Sequence, residues 1–414
     1  MELKKYKLGE IAYFVEDKIS SNEISLNEYI TTDCLLQNKK GRTIATNLPP
    51  QSCSLTKFQK EDILIGNIRP YLKKIWFADI DGGCSLDVLV LRSRNKNEST
   101  YLFSILMQDS FFDFVMKATK GSKMPRGDKN HILNFLCFDI SNKIKIGNFI
   151  KSLDDKIALN RRINAELEAM AKELYDYYFV QFDFPNADGK PYKSSGGKMV
   201  YSDVLKREIP EGWEVKKLGE FISKIDSGKR PSGGIDKSLK YGIPSLGAEC
   251  IDDLGVFDFS ATPFVDFSYK KKMTTGKIEN NDILIYKDGA YVGKTTLFRD
   301  DFPYKEAFVN EHVFLIHAKK EEFEEYLYFT LTQKTYFQIM QNLGKAKAAQ
   351  PGLNREDLMN ILLIIPSNNL ISDFNKKVKS LFAQVFNNAK AIGKLTALRD
   401  ELLPLLMNGQ VEVR

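Results

Sequence analysis

Cysteine, histidine and long apolar runs are scarce in this chain, and each scarcity closes off a class of chemistry. The five cysteines (Cys34, Cys53, Cys84, Cys137 and Cys250) are odd in number and lack CxxC spacing, and only three histidines accompany them. That composition frames neither a disulfide scaffold nor a zinc site, so no metal ligand set is expected. The longest apolar runs, such as Ile361 to Pro366, fall far below the ~20 residues that span a bilayer, so no membrane partner is expected. Met1-Glu2-Leu3-Lys4-Lys5 is not a charged-then-apolar leader, which makes the reducing cytoplasm the expected location. Neither sign of charge dominates: 60 Lys and Arg face 54 Asp and Glu, a net +6 over 414 residues. By itself that selects no partner.

What is present is enough for full-sized cores. Hydrophobic residues make up 43% and aromatic residues 12%, which argues against disorder. The length exceeds what one core usually serves, so two or more domains are expected.

The most informative feature is a duplication at an offset of about 210 to 228 residues. Lys7-Leu8-Gly9-Glu10 returns as Lys217-Leu218-Gly219-Glu220, and Asp62-Ile63-Leu64-Ile65 returns as Asp282-Ile283-Leu284-Ile285. A solenoid repeat is far shorter, so the pattern predicts a duplicated domain. Each half closes on a 4,3,4,3 spacing. Ile146, Ile150, Leu153, Ile157, Asn160, Asn164, Leu167, Ala171, Leu174 and Tyr178 form the first seam. Phe374, Val378, Leu381, Val385, Asn388, Ile392, Leu395, Arg399, Leu402 and Leu406 form the second. A 3.5-residue period keeps one stripe on a partner helix, so two coiled-coil helices are predicted to pair with each other. Asn160 and Asn388 hold equivalent slots, where paired amides fix register provided that antiparallel helices cross near them. Ile163, Met170, Tyr175 and Phe382 are read either as outer-face docking residues or as core.

Before each heptad helix the pattern is the same. Short β-rich runs such as Val88-Leu89-Val90-Leu91 lead into one amphipathic helix, near Tyr101 to Met116 and Phe323 to Leu343. A basic turn and an apolar run follow, which predicts an α+β globule and a long helix, twice. Between the halves, Asp183 to Pro191 and Ser194 to Gly197 read as a linker.

Placement of cations matters more than their number. Lys117, Lys120, Lys123, Arg126 and Lys129 surround Gly121, Pro125 and Gly127. Lys345 and Lys347 precede Pro351-Gly352, and Lys229-Arg230 follow Ser227-Gly228. Cations on loops can track a phosphate backbone, whereas those on helix faces mostly solvate. The candidate DNA-binding residues are therefore Lys120, Lys123, Arg126, Lys229, Arg230, Lys287, Lys294, Lys345 and Lys347, with Arg69, Lys73 and Lys74 next. The candidate helix-pairing residues are Ile150, Leu153, Ile157, Asn160, Leu167, Val378, Leu381, Val385, Asn388 and Leu395.

At these residues the chain resembles the specificity subunit of type I restriction-modification systems. The likeness runs through Asn67-Ile68-Arg69-Pro70, Gly121 through Lys123-Met124-Pro125-Arg126-Gly127, and Ile157-Ala158-Leu159-Asn160. It continues in Tyr178-Phe179-Val180-Gln181-Phe182-Asp183-Phe184, Gly189-Lys190-Pro191-Tyr192-Lys193-Ser194-Ser195-Gly196-Gly197, Ile209-Pro210-Glu211-Gly212-Trp213, Gly242-Ile243-Pro244 and Gly293-Lys294. The resemblance implies two target-recognition domains, 1–145 and 213–367, separated by antiparallel helices at 146–182 and 368–414, with 183–212 as linker. One departure is Ile146-Gly147-Asn148, which lacks the Pro-rich opening common in the family and leaves the helix start open. The resemblance also implies double-stranded DNA, two modification subunits and restriction subunits as partners. S-adenosylmethionine, ATP and Mg would then lie on those partners, with no cofactor in this chain, and adenine would be methylated in each half-site. A 33-residue helix from Ile146 to Tyr178 is about 50 Å long, so the expected target is bipartite and gapped. Gly66-Asn67-Ile68-Arg69 differs from Tyr286-Lys287-Asp288-Gly289, so the half-sites are expected to differ.

Enzyme signals are weak. In Gly289-Ala290-Tyr291-Val292-Gly293-Lys294-Thr295 three residues separate the glycines where a phosphate loop needs four. Asn47-Leu48-Pro49-Pro50 is an interrupted methyltransferase-like motif with no aromatic after it. His312 and His317 have only the distant His131 as a third histidine. No catalytic residue is assigned. A coiled-coil scaffold for proteins and a stand-alone methyltransferase or nuclease are the alternatives.

Overall fold

The apolar tetrapeptides after Asp62 and Asp282 become the middle strands of two matching sheets. In the computed structural model, which describes residues 4–121, 123–231, 234–236, 238–345 and 352–413, the chain forms two units. The first is Met1–Leu159 with Lys394–Arg414, the second Asn160–Gly393. In the first unit, Ile63–Gly66 lies between Val88–Ser93 and Ile75–Phe77 in a four-stranded antiparallel sheet edged by Ala12–Phe14. In the second, Ile283–Tyr286 lies between Val313–Ala318 and Thr295–Leu297, with Ile222–Ser227 at the edge. Ile63, Leu64, Ile283 and Leu284 are all buried, so continuous apolar runs serve as strands covered on both faces.

The repeated aspartates set the turn into those strands. Asp62 accepts the Gln59 N–H at 2.8 Å, and Asp282 accepts the Glu279 N–H at 2.7 Å. Each carboxylate is 1% exposed and therefore needs a polar partner. Arg92 Nε and Nη2 supply it for Asp62, both at 2.7 Å, while His317 Nδ1 lies 3.0 Å from Asp282. The Lys-Leu-Gly-Glu repeats do the same job twice: Glu10 and Glu220 cap the Lys7 and Lys217 N–H groups at 2.7 and 3.0 Å. Both leucines are fully buried. A second sheet in each unit carries one parallel pairing, Tyr29–Ile30 with Gly82–Cys84 and Ile243–Leu246 with Phe308–Val309.

The single helix predicted in each half is two helices. Ser99–Leu106 precedes Asp109–Met116, and Glu324–Thr332 precedes Lys334–Lys345. Gln108 (φ −67°, ψ 142°) and Gln333 (φ −61°, ψ 140°) are extended and interrupt the i→i−4 ladder. No Pro or Gly marks either break.

The long helices span Lys143–Tyr175, extended by a π-turn over Asp176–Val180, and Asn368–Met407. They are antiparallel. In the first unit, Arg399 Nη1 meets Asp154 at 2.9 Å while Leu403 and Leu406 share a core with Ile150. In the second, Asn388 meets Asn164 while Tyr178 meets Asp373. Of the predicted seam, Ile150, Leu153, Ile157, Val378, Val385 and Asn388 are buried, and Leu167 and Leu381 pack against the second core. Asn160 and Leu395 are half-buried.

The amide pair differs from expectation. Asn388 Nδ2 donates to Asn164 Oδ1 at 2.9 Å, not to Asn160. Equivalent residues of antiparallel helices meet only at the crossing point, and this register puts the next seam position opposite Asn388. The pair is fully satisfied: Asn164 Nδ2 donates to the Val385 carbonyl at 3.0 Å, and Gln384 Nε2 donates to Asn388 Oδ1 at 2.7 Å. Tyr175 and Phe382 are core, 4% and 1% exposed, among Tyr326, Phe329, Phe374 and Tyr328. Met170 is exposed and Ile163 half-buried. The segment read as a linker is folded: Met199–Ser202 pairs with Arg207–Pro210, and Phe184 stacks between Tyr192 and Trp213.

A charged island joins the second long helix to its globule. Arg299 pairs with Glu324 at 3.1 Å and Glu325 at 2.8 Å and lies over the Phe382 ring. Burial, with Glu325 adding to it, pushes the Glu324 carboxyl up to about 7 although Arg299 opposes the rise.

Two measurements test these features. Asn164→Ala strands the Asn388 amide in the seam and should lower the free energy of unfolding by about 1–3 kcal/mol. Replacing both asparagines by leucine should cost less, as read by chemical denaturation. Glu324 binds its proton more tightly folded than unfolded, so its contribution is full below about pH 4.5 and is lost as pH rises through about 7. Glu324→Gln should remove that slope from melting temperature against pH.

Candidate nucleic-acid interface

In both units the loop leaving the central strand is closed and bracketed in the same way. Gly66 N–H bonds to Lys74 O at 3.0 Å and Tyr286 N–H to Lys294 O at 2.8 Å, closing 67–73 and 287–293 as hairpin loops. Two left-handed residues bracket each apex: Arg69 (φ 52°) and Lys73 (φ 51°), then Gly289 (φ 85°) and Gly293 (φ 89°). The glycine stretch that resembled a phosphate loop therefore connects two strands. No helix N-terminus follows it, which removes the geometry that phosphate loops use.

A second loop lies against the first. In the first unit, Arg69 N–H bonds to Pro125 O at 2.8 Å, and Lys120 and Arg126 exchange backbone bonds at 3.0 Å. Gly127 N–H reaches Asn67 O at 3.4 Å. In the second unit, Leu353 N–H bonds to Lys287 O at 2.8 Å and Gly352 N–H to Gly344 O at 2.9 Å. Each loop ends on a capped short helix, with Asp128 accepting the His131 N–H at 3.0 Å and Asn354 the Asp357 N–H at 2.7 Å. Fold geometry thus joins Arg69 to Pro125 and Lys287 to Leu353, pairs distant in sequence. Lys347 lies outside the described residues.

The cations divide by what holds them. Among the described residues, Arg69, Lys123, Lys229 and Lys345 are exposed and have no acidic partner within ion-pair distance. Lys120 pairs with Asp128 at 3.1 Å and Arg126 with Asp87 at 2.9 Å, yet both side chains stay largely in solvent. Lys73 shares Asp109 with Lys39, each at 2.9 Å. Burial pushes the Asp109 carboxyl up, but the two ammonium groups outweigh it and hold it below the ordinary value. Lys74 and Lys294, equivalent at the ends of the two loops, turn back into their own fold. Lys74 Nζ donates to the Thr32 carbonyl and Lys294 Nζ to Asp252 at 3.0 Å.

The second unit adds groups that the sequence did not single out as a cluster. Arg230 Nε pairs with Glu311 Oε1 at 2.7 Å, and Lys287 Nζ donates to the Glu311 carbonyl at 3.1 Å. His312 Nδ1 lies 2.9 Å from Asp288 Oδ2 and its Nε2 3.5 Å from Glu311 Oε1. Burial raises the Glu311 carboxyl, but its own backbone N–H and Arg230 win and leave it below the ordinary value. Among the described residues, Glu311 Oε2 and, in the first unit, Asn67 Oδ1 are buried without a hydrogen-bond partner. Both loop surfaces thus pair cations with carboxylates, and the second adds a histidine. Aligning 66–74 with 286–294 is the sequence signal that finds Asp288; Glu311 and His312 had none.

Among the described residues no group of His, Cys, Asp and Glu could hold a metal ion, and no helix is long and apolar enough to cross a membrane. Residues 210–389 match the family of the type I restriction modification DNA specificity domain. The chain is thus similar to type I restriction enzyme specificity subunits. The type I restriction enzyme MjaIX specificity subunit of Methanocaldococcus jannaschii is 25% identical over 100% of this chain and 89% of its own length. The HindI specificity subunit of Haemophilus influenzae is 27% identical over 99% of each chain. The crystal structure of the type I restriction-modification S subunit from M. genitalium shares the fold, with TM-score 0.58 at 15% identity over 100% of this chain and 97% of that one.

The division of cations predicts distinct stabilities. Lys74→Ala leaves the Thr32 carbonyl without its donor and should destabilise the chain by about 1–2 kcal/mol. Lys123→Ala should change stability by less than about 0.5 kcal/mol. Chemical denaturation of both variants checks this.

Proposed function

We propose that this chain is a type I specificity subunit, the non-catalytic DNA reader of its complex, with each unit reading one half of a bipartite, asymmetric site. The observation that carries the reading is the repeated apposition of two loops in each unit, with cations at their edges. Arg69, Lys120, Lys123 and Arg126 would hold phosphates in the first half-site. Lys229, Arg230, Lys287, Lys345 and Lys347 would do so in the second, while Lys73, Lys74 and Lys294 support the loops. Phosphate contacts position a protein and base contacts specify. The different residues at the two surfaces, Asn67-Ile68-Arg69 against Lys287-Asp288-Gly289, favour half-sites of different sequence.

Two modification subunits would dock on the long helices and bring S-adenosylmethionine to an adenine extruded in each half-site. Restriction subunits would add ATP- and Mg-dependent cleavage. This chain supplies address, and its partners supply chemistry.

Single-molecule methylation mapping of DNA from cells expressing the modification subunit, with and without this chain, tests the proposal. Adenine methylation should appear at one gapped, asymmetric motif only when the chain is present, and exchanging residues 213–367 should change one half of the motif. Lys120→Ala/Lys123→Ala/Arg126→Ala should lower the slope of log affinity against log salt by about 0.9 for each phosphate no longer neutralised. Methylation independent of the chain, with an intact modification subunit, would sink the reading.

A further inference from the structure

Resting on that DNA-reading role, we infer that Tyr71 and Tyr291 are the aromatic base contacts of the two half-sites, each packing its ring against a target base at the apex of its loop.

The two residues hold the same position. Arg69-Pro70-Tyr71-Leu72-Lys73-Lys74 superposes in pattern on Gly289-Ala290-Tyr291-Val292-Gly293-Lys294, with the tyrosine midway between the two left-handed residues each time. Only the tyrosine and the terminal lysine are common to both loops. That lysine is tied back to its own unit, by the Thr32 carbonyl for Lys74 and by Asp252 for Lys294, which leaves the tyrosine as the shared outward group.

Its display is built. A left-handed Arg or Lys is strained where glycine is not. The first unit tolerates two such residues, and thereby keeps the loop shape that glycine allows in the second. Both loops are also tied from behind: Asn38 and Lys39 N–H groups bond to the Leu72 and Lys73 carbonyls at 2.9 Å, and Gln341 Nε2 donates to the Ala290 carbonyl at 3.2 Å. Yet the rings are 51% and 65% exposed, although Leu72 is half-buried and Val292 buried beside them. Neither hydroxyl has a hydrogen-bond partner among the described residues.

A flat apolar ring held in water next to phosphate-seeking cations has the composition of a base platform. Cations fix where the duplex lies but carry no sequence information. An aromatic side chain can pack on or wedge beside a base, and its benefit depends on how readily that step unstacks. The ring, not the hydroxyl, is the contacting group.

The test uses the chain in complex with its modification subunit and a fluorescein-labelled duplex carrying the motif from methylation mapping, with a scrambled duplex as reference. Tyr71→Ala and Tyr291→Ala should each weaken motif binding about tenfold and change scrambled binding less than about twofold. Phe at either position should bind like wild type. Leu, which keeps bulk against the loop but has no aromatic face, should fall with Ala at unchanged melting temperature. With 2-aminopurine placed in one half-site at a time, each Ala variant should lose its fluorescence change in one half only. Wild-type affinity in the Ala and Leu variants, equal losses on motif and scrambled DNA, or Phe falling with Ala would each overturn the inference while DNA reading stands. A wild-type complex that does not discriminate the motif would remove both.

Discussion

Neither globule closes its core without the long helices. In the first unit Ile146 and Ile150 from one helix and Leu403, Leu406 and Met407 from the other complete the apolar cluster around the central sheet. In the second, Ala171 and Tyr175 join Phe374, Val378, Phe382 and Val385 inside the core of the sheet. The seam is therefore interior to each fold, and its burial is the constraint on which the loop positions depend. A helix that slid by one turn would remove whole aromatic side chains from the core, each a loss of several kcal/mol.

Within that frame, the two units reach the same shapes with different chemistry. The buried carboxylate before the central strand takes Arg92 in one case and His317 in the other. Burial lifts the Asp282 carboxyl above its ordinary value, with the Glu279 N–H and His317 opposing the rise. The apex loop uses Arg and Lys where its counterpart uses two glycines. Shape is held by backbone bonds that do not depend on side-chain identity. Surface charge is consequently free to differ between the two units.

Much of this was legible. The Asp-Ile-Leu-Ile repeat marked both central strands, and the 4,3,4,3 spacing marked both long helices, because burial writes a period into sequence. The breaks at Gln108 and Gln333 were not legible, since an ordinary residue there adopts an extended backbone under tertiary demand. Nor was the Asn164–Asn388 pairing, because antiparallel register depends on where the helices cross, and no local pattern records that. Turn chemistry located the loop around Lys120 to Arg126 in the first unit. The bonds from Arg69 to Pro125 and from Leu353 to Lys287 depend on sheet order, and so do the ties of Lys74 and Lys294 back to their own units.

The first unit is discontinuous, with residues beyond Lys394 completing a domain begun at the other end of the chain. On the ribosome, the sheet around Ile63–Gly66 is made early but must wait for Leu403 and Leu406 before its apolar face is covered. The second unit is synthesised in full during that wait. Order of synthesis thus leaves the first-made domain last to finish, exposed in the interval to chaperones and to aggregation.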